Sequence, residues 1–440
     1  MSRLRPLFLF GLLPLAGCAH YAPLPLPSAP SLAASPPLSA SGTPLTVSQV
    51  AAWALEHNPD LIAARAKHGV AQAQLTVARV LPNPSLAGAF LPLLSGPGEV
   101  PAWNAGITQD LKALIVYRPK VRAARNSAAQ VDADLLWQEW QTVGQARQLA
   151  ADIILGERSL ILLRRAASLL DHRNAVMQQA LAARDVTLVT AAPSTTAYQS
   201  ARANLLNAEQ AQLALRHKLN ALLGLSPEVM VPLADQIDIP PIDAASIRAA
   251  LPSLPQRRPD LVALQFGYAA TDENLRVQIL SQFPDLVLGG TVSSDSSKVI
   301  NAGPQATIGL PIFDRNQGNV ALARASRAQL HAEYAARLAA VTGEVGAMLR
   351  EREAVASQLA MVRADLPQAK LAADRAAQAF GRSALDERSY IDLLTTYFAK
   401  EQERMTLETA LADHDVAIDT LIGAGLPQVE RLPVASEVGR

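Results

Sequence analysis

The 440-residue sequence has few aromatic residues, a single cysteine and no net charge. Aromatic residues make up 4% of the chain although half of its residues are hydrophobic, and Ala and Leu dominate the apolar half. This bias favours long helices that pack closely along their length. The balanced charge gives no overall field that would attract nucleic acid or an acidic membrane surface. After the N-terminus, no apolar run reaches the roughly 18 residues that a transmembrane helix needs.

Motifs for catalysis and metal binding are also missing from the sequence. The seven histidines are dispersed and form no HExxH or other close metal-ligating pair. His57, and His414 between Asp413 and Asp415, fit a surface or a helix-packing position better than a metal site. No Walker A motif, dinucleotide-binding glycine fingerprint or nucleophile elbow occurs. We therefore expect neither an enzyme, a metal site nor a cofactor.

The N-terminus has the pattern of an export signal. Two arginines in the first five residues precede an apolar stretch over 7–15, which ends in Leu15-Ala16-Gly17-Cys18. This ending resembles a bacterial lipobox, in which the cysteine becomes the acylated first residue of the mature protein. We predict a lipoprotein signal peptide over 1–17 and lipidation at Cys18. Because Cys18 is the only cysteine, its acylation would leave no thiol for disulfides or metal ligation.

A proline-rich segment follows the predicted lipid attachment site. Residues 19–44 contain seven prolines among Ala, Ser and Leu, which excludes a helix or a central strand. We predict that residues 18–45 are an extended tether and that folded structure begins near Thr46, where Thr46 or Ser48 can cap a helix.

The folded part of the sequence contains an internal repeat. Asn58-Pro59-Asp60-Leu61 recurs 200 positions later as Arg258-Pro259-Asp260-Leu261. Further matched pairs lie at this spacing or one residue short of it: Ala63 with Ala263, Pro84 with Pro284, Leu86 with Leu286, Thr108 with Thr307, Leu111 with Leu310, Val121 with Val320 and Arg125 with Arg324. Chance similarity of Ala-rich helices does not readily explain the proline matches. We predict repeats over 46–224 and 258–425, a linker over 225–257 and a C-terminal tail over 426–440.

Each repeat has the pattern helix, strand, strand, helical hairpin. The first helices are predicted over about 46–81 and 259–282, and the strands are each about 9–11 residues long, the length of a tilted barrel strand. The first strand, within 85–94, is more uniformly apolar than the others. In the other three, apolar residues alternate with polar or small ones: Trp103, Ala105, Ile107; Leu286, Leu288, Val292; and Ala306, Ile308, Leu310, Ile312. One apolar and one polar face fit lipid outside and water inside, although a half-buried soluble sheet shows the same alternation.

Long helices occupy the rest of each repeat. They are predicted over 119–182 and about 195–223 in the first repeat, and over about 318–379 and 387–422 in the second. Residues on both second helices follow the 4-3 spacing of a coiled-coil seam: Ala201, Leu205, Ala208, Gln212, Leu215, Leu219 and Leu222, then Leu407, Leu411, His414, Ile418 and Leu421.

The combination of lipobox, tether and two such repeats resembles the TolC-like outer-membrane efflux proteins. The stretch over 309–319, GLPIFDRNQGN, is similar to the family's sequence after its fourth strand, and Leu81-Pro82-Asn83-Pro84 is similar to that of its heavy-metal efflux branch. The resemblance implies a mainly α fold with a small β part. Coiled-coil hairpins form an α-barrel, and four transmembrane strands per subunit close a twelve-stranded β-barrel in a homotrimer.

The resemblance also implies a function. The trimer would lie in the bacterial outer membrane, in contact with its lipid, and its helical tunnel would reach through the periplasm to a periplasmic adaptor (a membrane fusion protein) and an inner-membrane pump. The chain would be the passive duct of a tripartite efflux system for small molecules or ions. The alternative from the residues is a periplasmic adaptor or structural lipoprotein built of helical hairpins, which would need no transmembrane strands.

By the same resemblance, the two helical tips would seal the periplasmic end and meet the adaptor. Arg184 and Arg382 are candidates for ion pairs that hold a closed state, and Asp185, Asp386 and Asp392 for threefold acidic rings in the pore. The alternative is that these charged tip residues are solvated and have no gating role. The tips depart from the family pattern, in which a glycine precedes an aspartate by about six positions. Gly381 lies five positions before Asp386, and the first tip has Pro193 and no glycine.

Overall fold

The computed structural model describes residues 21–35, 42–239, 242–423 and 426. The predicted lipidation site Cys18, the signal peptide over 1–17 and most of the C-terminal tail lie outside these residues. None of the described helices is long and apolar enough to cross a membrane.

The first repeat begins with two helices where the sequence predicted one. They are α1 (Val47–His57) and α2 (Pro59–Arg79). Thr46 caps α1 in a capping box, and Asn58 caps α2 by accepting a hydrogen bond from the N–H of Leu61 at 2.9 Å. Pro59 forces the preceding residue out of the helical conformation, so Asn58 is extended with ψ 123° and the helix breaks there.

Two strands and a helical hairpin complete the first repeat. Strands β1 (Ser85–Leu91) and β2 (Ala102–Asp110) precede helices α3 (Lys112–Ala182) and α4 (Leu188–Leu222). Helix α3 starts earlier than predicted and includes Pro119 near its start. Helix α4 also starts earlier, with Pro193 in its second turn. Along α4 the residues of the predicted seam are the more buried ones, and Gln212 and Leu219 are fully buried.

The second repeat follows a short helical connection, α5 (Ala244–Ala250), a 3₁₀ turn (Leu251–Ser253) and α6 (Leu254–Arg257). Its elements are α7 (Pro259–Leu280), β3 (Leu286–Ser294), β4 (Ile300–Ile308), α8 (Gln317–Gly381) and α9 (Glu387–Ile422). The prediction of a mainly α fold with four strands and two long hairpins is confirmed.

The four strands form one antiparallel sheet in the order β1-β2-β3-β4. Strand β1 has seven residues and the others nine. Strand β4 ends at Ile308, so Leu310 and Ile312, which the alternation placed in this strand, lie beyond it. The last bond at this end runs from the N–H of Gly309 to Asp285 O at 2.9 Å, and Pro311 has no N–H with which to extend the pairing.

The helices pack in two groups that α3 and α9 join. Helix α3 contacts α1, α2, α4, α7 and α9, and α8 contacts α7 and α9. One apolar cluster joins α1, α3 and α4 with the chain after α4, around Val50, Ala150 and Leu219. A second joins α5, α8 and α9 around Ile247, Val345 and Ile418. The linker therefore ties the two hairpins together at the end near α1 and α5.

Both repeats fasten the end of their last helix in the same way. The side chain that precedes the Pro-Asp-Leu motif donates a hydrogen bond to a backbone oxygen at the end of that helix. In the first repeat Asn58 Nδ2 donates to Leu222 O at 2.8 Å, and in the second Arg258 Nη1 donates to Leu421 O at 3.0 Å. The repeat motif that the sequence shows is therefore a contact between the two ends of each repeat.

Candidate functional site

The register of the sheet places most of the large apolar side chains of the four strands on one face. Cross-strand pairs join Leu86 to Ile107, Phe90 to Trp103, Leu288 to Ala306 and Leu286 to Ile308. Large side chains of this face are solvent-exposed in the single chain: Leu86 81%, Phe90 68%, Ile107 55%, Ile300 69% and Ile308 58%. An exposed apolar surface of this size on a folded chain indicates contact with lipid or with another protein.

The opposite face of the sheet is mostly polar or small, with Leu91 and Val287 as its large apolar side chains. It carries Asn104, Thr108, Thr291, Ser293, Asn301, Gln305 and Thr307, with glycines at 106, 289 and 303. Glycine at 289 is required by spacing, because a Cβ there would lie 2.1 Å from Ile107 O on the neighbouring strand. The two faces therefore differ as the lipid-facing and water-facing sides of a barrel wall do.

The first helical tip is the turn over 183–187 between α3 and α4. Arg184 has a left-handed backbone with φ 65°. The N–H of Asp185 donates to Ala180 O at 2.9 Å and that of Arg184 to Leu181 O at 3.1 Å, which is the Schellman pattern of a helix end. The side chain of Thr187 then caps α4.

The second helical tip, over 382–386 between α8 and α9, repeats this backbone. Ser383 is left-handed with φ 54°. The N–H of Ala384 donates to Ala379 O at 2.8 Å and that of Ser383 to Phe380 O at 2.9 Å. Asp386 then caps α9. The two tips are related by 199 positions, as the strand residues Thr108 and Thr307 are.

The predicted tip residues are all exposed, and their contacts differ. Arg184 and Arg382 form no ion pair within the described chain. Asp386 Oδ1 accepts from the N–H of Ser389 at 2.9 Å, and its Oδ2 accepts from the Ser389 hydroxyl at 2.7 Å. These bonds, the backbone one first, hold the pKa of Asp386 below its ordinary value. The carboxylate of Asp392 has, among the described residues, only a 3.9 Å contact with Arg388.

A buried ionic cluster beside the tips was not predicted. Glu387, directly after Asp386, is 6% exposed and accepts from Arg173 Nε at 2.9 Å to each oxygen and from the Ser194 hydroxyl. The Arg173 guanidinium lies 4.2 Å from the centre of the Phe380 ring. Helices α3, α4 and α9 thus meet at one carboxylate, and no sequence signal links these residues because 214 positions separate Arg173 from Glu387.

Comparison with known proteins identifies the fold. The family model "Outer membrane efflux protein" matches residues 250–424. No curated protein sequence matches the chain significantly. Among solved structures, the chain resembles a membrane protein from Pseudomonas aeruginosa. The two share 20% sequence identity with a TM-score of 0.74, and the match covers 93% of this chain and 98% of that one.

Two further structures show the same similarity. The CmeC outer membrane channel from Campylobacter jejuni has 17% identity and a TM-score of 0.71, covering 95% of this chain and 97% of that chain. CusC, whose structures concern folding and transmembrane channel formation, has 19% identity and a TM-score of 0.69, covering 86% and 92%. At these sequence identities the similarity establishes the fold. It covers most of this chain and most of each matched chain.

Proposed function

We propose that this protein is a TolC-like outer membrane efflux protein and the passive outer-membrane duct of a tripartite efflux system. The observation that carries the proposal is the sheet, whose register places exposed apolar side chains on one face and polar ones on the other. A duct needs such a wall, whereas a helical-hairpin adaptor lipoprotein needs no apolar sheet face. The channel fold and its continuity with two long hairpins support the same function.

We infer a homotrimer, and the two free edges of the sheet support its closure by neighbouring protomers. Within the described chain, β1 and β4 each pair on one side only. Pairing β4 of one protomer with β1 of the next would satisfy these edges, and three protomers would give a closed wall of twelve strands. Closure also explains why four short strands form without a core of their own.

We further propose that the protein is attached to the outer membrane through a lipid on Cys18, with residues 18–45 as the tether. In this arrangement the hairpins extend into the periplasm. Helix α3 has 71 residues, which corresponds to about 105 Å. A periplasmic adaptor and an inner-membrane pump would be the partners at the tips, and the pump would supply the energy.

The tips are the proposed gate and docking site. Exposure leaves the predicted residues Arg184, Asp185, Arg382, Asp386 and Asp392 free to meet a neighbouring protomer, the pore or the adaptor. Asp386 already caps α9 through Oδ1 and accepts from the Ser389 hydroxyl through Oδ2, while the Asp392 carboxylate has, within the described chain, only its weak contact with Arg388. Asp392 is therefore our first choice for a threefold ring that attracts cations.

The test of the duct is the conductance of the purified, lipidated protein in planar bilayers. We expect discrete channel currents and a trimer in detergent. A monomer without channel activity under any condition would contradict the proposal.

The gate is tested in the same assay by ion selectivity. Asp392→Asn should lower the preference for cations, and Asp386→Asn should lower it less because both oxygens of the Asp386 carboxylate already accept hydrogen bonds from Ser389. Glu351→Gln is the matched control, an exposed acid on α8 that lies 30 residues, or about 45 Å, before the second tip. Unchanged selectivity in both Asp variants would remove them from the pore lining.

A further inference from the structure

Helices α3 and α9 belong to different hairpins and run antiparallel along one seam. Complementary groups fasten this seam over most of its length. Trp140 Nε1 donates to Thr420 O at 2.9 Å, Arg147 pairs with Asp419 at 3.0 Å, and Arg173 pairs with Glu387 near the tips. Between Arg147 and Arg173 the seam contains one contact of a different kind, where two acidic side chains meet.

The two acids are Asp152 on α3 and Asp413 on α9, whose side chains are within hydrogen-bonding reach of each other. Oδ1 of Asp152 is shielded from solvent and receives no hydrogen bond from a donor in the described chain. Gln148, one turn earlier on α3, donates to Asp413 Oδ1 at 3.4 Å. Since a carboxylate is only an acceptor, two carboxyl groups can bond to each other only when one of them holds a proton.

The helices around Asp152 and Asp413 provide little positive charge that could stabilise two ionised carboxylates in place of that proton. From α4, the positive charge of Lys218 acts on Asp152, but its effect is smaller than the opposing ones. On α9, the neighbouring acids Asp415 and Asp419 already pair with Arg352 and Arg147. Helix α1 packs apolar side chains such as Val50 against the adjoining turns of α3. The charges around Asp152 and Asp413 therefore do not offset the repulsion between two ionised carboxylates.

We propose that Asp152 and Asp413 share one proton across the seam between the two hairpins and so form a pH-sensitive clasp of the duct. When the proton is bound, the two carboxyl groups are joined by a hydrogen bond that holds α3 against α9. When it leaves, two adjacent carboxylates repel each other and the seam loosens. The regulatory part of this inference rests on the proposed function as a duct.

The pH range of the clasp follows from the burial of Asp152. Burial, then the hydrogen bond and the charge of Asp413, raise the pKa of Asp152 to about 7. The packed seam therefore binds more protons than the separated helices at pH below 7, so its stability falls as pH rises. With a pKa near 7, the equilibrium constant for the packed seam decreases about tenfold per protomer between pH 6 and pH 8.

Infrared spectroscopy of the trimer tests the shared proton without any transport measurement. We expect a carboxylic acid C=O band that is lost between pH 6 and pH 8 with a midpoint near 7. Asp152→Asn should abolish this band, and Asp413→Asn should move its midpoint to lower pH. Asp171→Asn, an exposed acid on α3, is the control that leaves it unchanged. A wild-type spectrum with no such loss, or a band that persists in Asp152→Asn, overturns the proposal.

Planar-bilayer currents test the clasp itself. The wild-type current should be larger at pH 8 than at pH 6, and Asp152→Asn should keep the lower current at both values because it cannot ionise. The same pH dependence in wild type and Asp152→Asn overturns the clasp. Absence of wild-type current at every pH would instead contradict the duct and the regulatory role together, while the infrared band would still decide whether the proton is shared.

Discussion

The two helical tips follow the same backbone path and carry different side chains. In both, a left-handed residue ends the first helix and a cap three positions later begins the second, Arg184 and Thr187 in one tip, Ser383 and Asp386 in the other. Beyond the caps they diverge. Leu188 is 69% exposed at the position where the second tip buries Glu387.

The ends of the repeats away from the tips show the same contrast between neutral and charged side chains. The first repeat fastens its last helix with the neutral amide of Asn58, and the second with the guanidinium of Arg258, which is 0% exposed. Arg258 also pairs with Asp260 at 2.8 Å and lies 4.6 Å from the centre of the Trp137 ring. The second repeat thus uses buried charges at both ends where the first uses neutral or exposed groups. The two repeats share their backbone geometry, but only the second relies on buried charges to hold its ends together.

The largest effect should come from Arg258→Ala. This change leaves the buried Asp260 with Arg337 as its remaining ion-pair partner and removes a bond to Leu421 O. Loss of one partner from a buried pair costs about 3–5 kcal/mol. Asn58→Ala removes only a cap and a neutral hydrogen bond, at about 1–2 kcal/mol.

Hydrogen exchange at the ends of α4 and α9 can measure both losses. Arg258→Lys is the control, since it keeps the charge but not the paired geometry, and should fall between wild type and Arg258→Ala. Equal losses for Asn58→Ala and Arg258→Ala would mean that the repeats do not differ at this end.

The next effect is expected at the tips, from Glu387→Ala. The change leaves the Arg173 guanidinium, whose side chain is 21% exposed, without its carboxylate and should destabilise the second tip by about 3 kcal/mol. Leu188→Ala, at the equivalent position of the first tip, should change stability by about 0.5 kcal/mol or less.

A double-mutant cycle with Arg173→Ala separates the ion pair from general disruption. Exchange of the α9 amides is the measurement, and Arg388→Ala, an exposed neighbour of Glu387, is the control. If the two single changes simply add, Arg173 and Glu387 do not act as a pair and the contrast between the tips is wrong.

Much of the fold was predictable because it depends on periodic patterns. Two-residue alternation placed β2 and β3, and the 4-3 spacing of α4 included two of its five buried residues, Gln212 and Leu219. The repeat of Asn58 and Arg258 before Pro-Asp-Leu was visible, although the contact that it makes was not. Local signals of this kind act over a few residues and need no knowledge of the tertiary structure.

The features that escaped prediction depend on how distant helices align. The contact of Arg173 with Glu387, and that of Asp152 with Asp413, follow from the relative position of α3 and α9. The tips show a second limit. The family pattern drew attention to Gly381, but this glycine ends α8 and the left-handed residue is Ser383. A turn that tolerates a non-glycine residue in this conformation leaves no glycine to mark it.

The smallest expected effect tests the shared backbone directly, through Arg184→Gly and Ser383→Gly. A left-handed conformation costs a residue with a Cβ about 1–2 kcal/mol, and glycine loses part of this gain through its greater freedom in the unfolded chain. Each change should therefore stabilise its tip by about 0.5–1 kcal/mol.

Gly381→Ala is the control, because it lies in the helix with no atom within 4 Å of an added Cβ and should be stabilising for a different reason, helix propensity. Amide exchange in the turns 183–187 and 382–386 measures each gain. Stabilisation of one tip without the other would show that the two backbones differ after all, and that the chemical contrast between the repeats begins in the turn itself rather than beyond the caps.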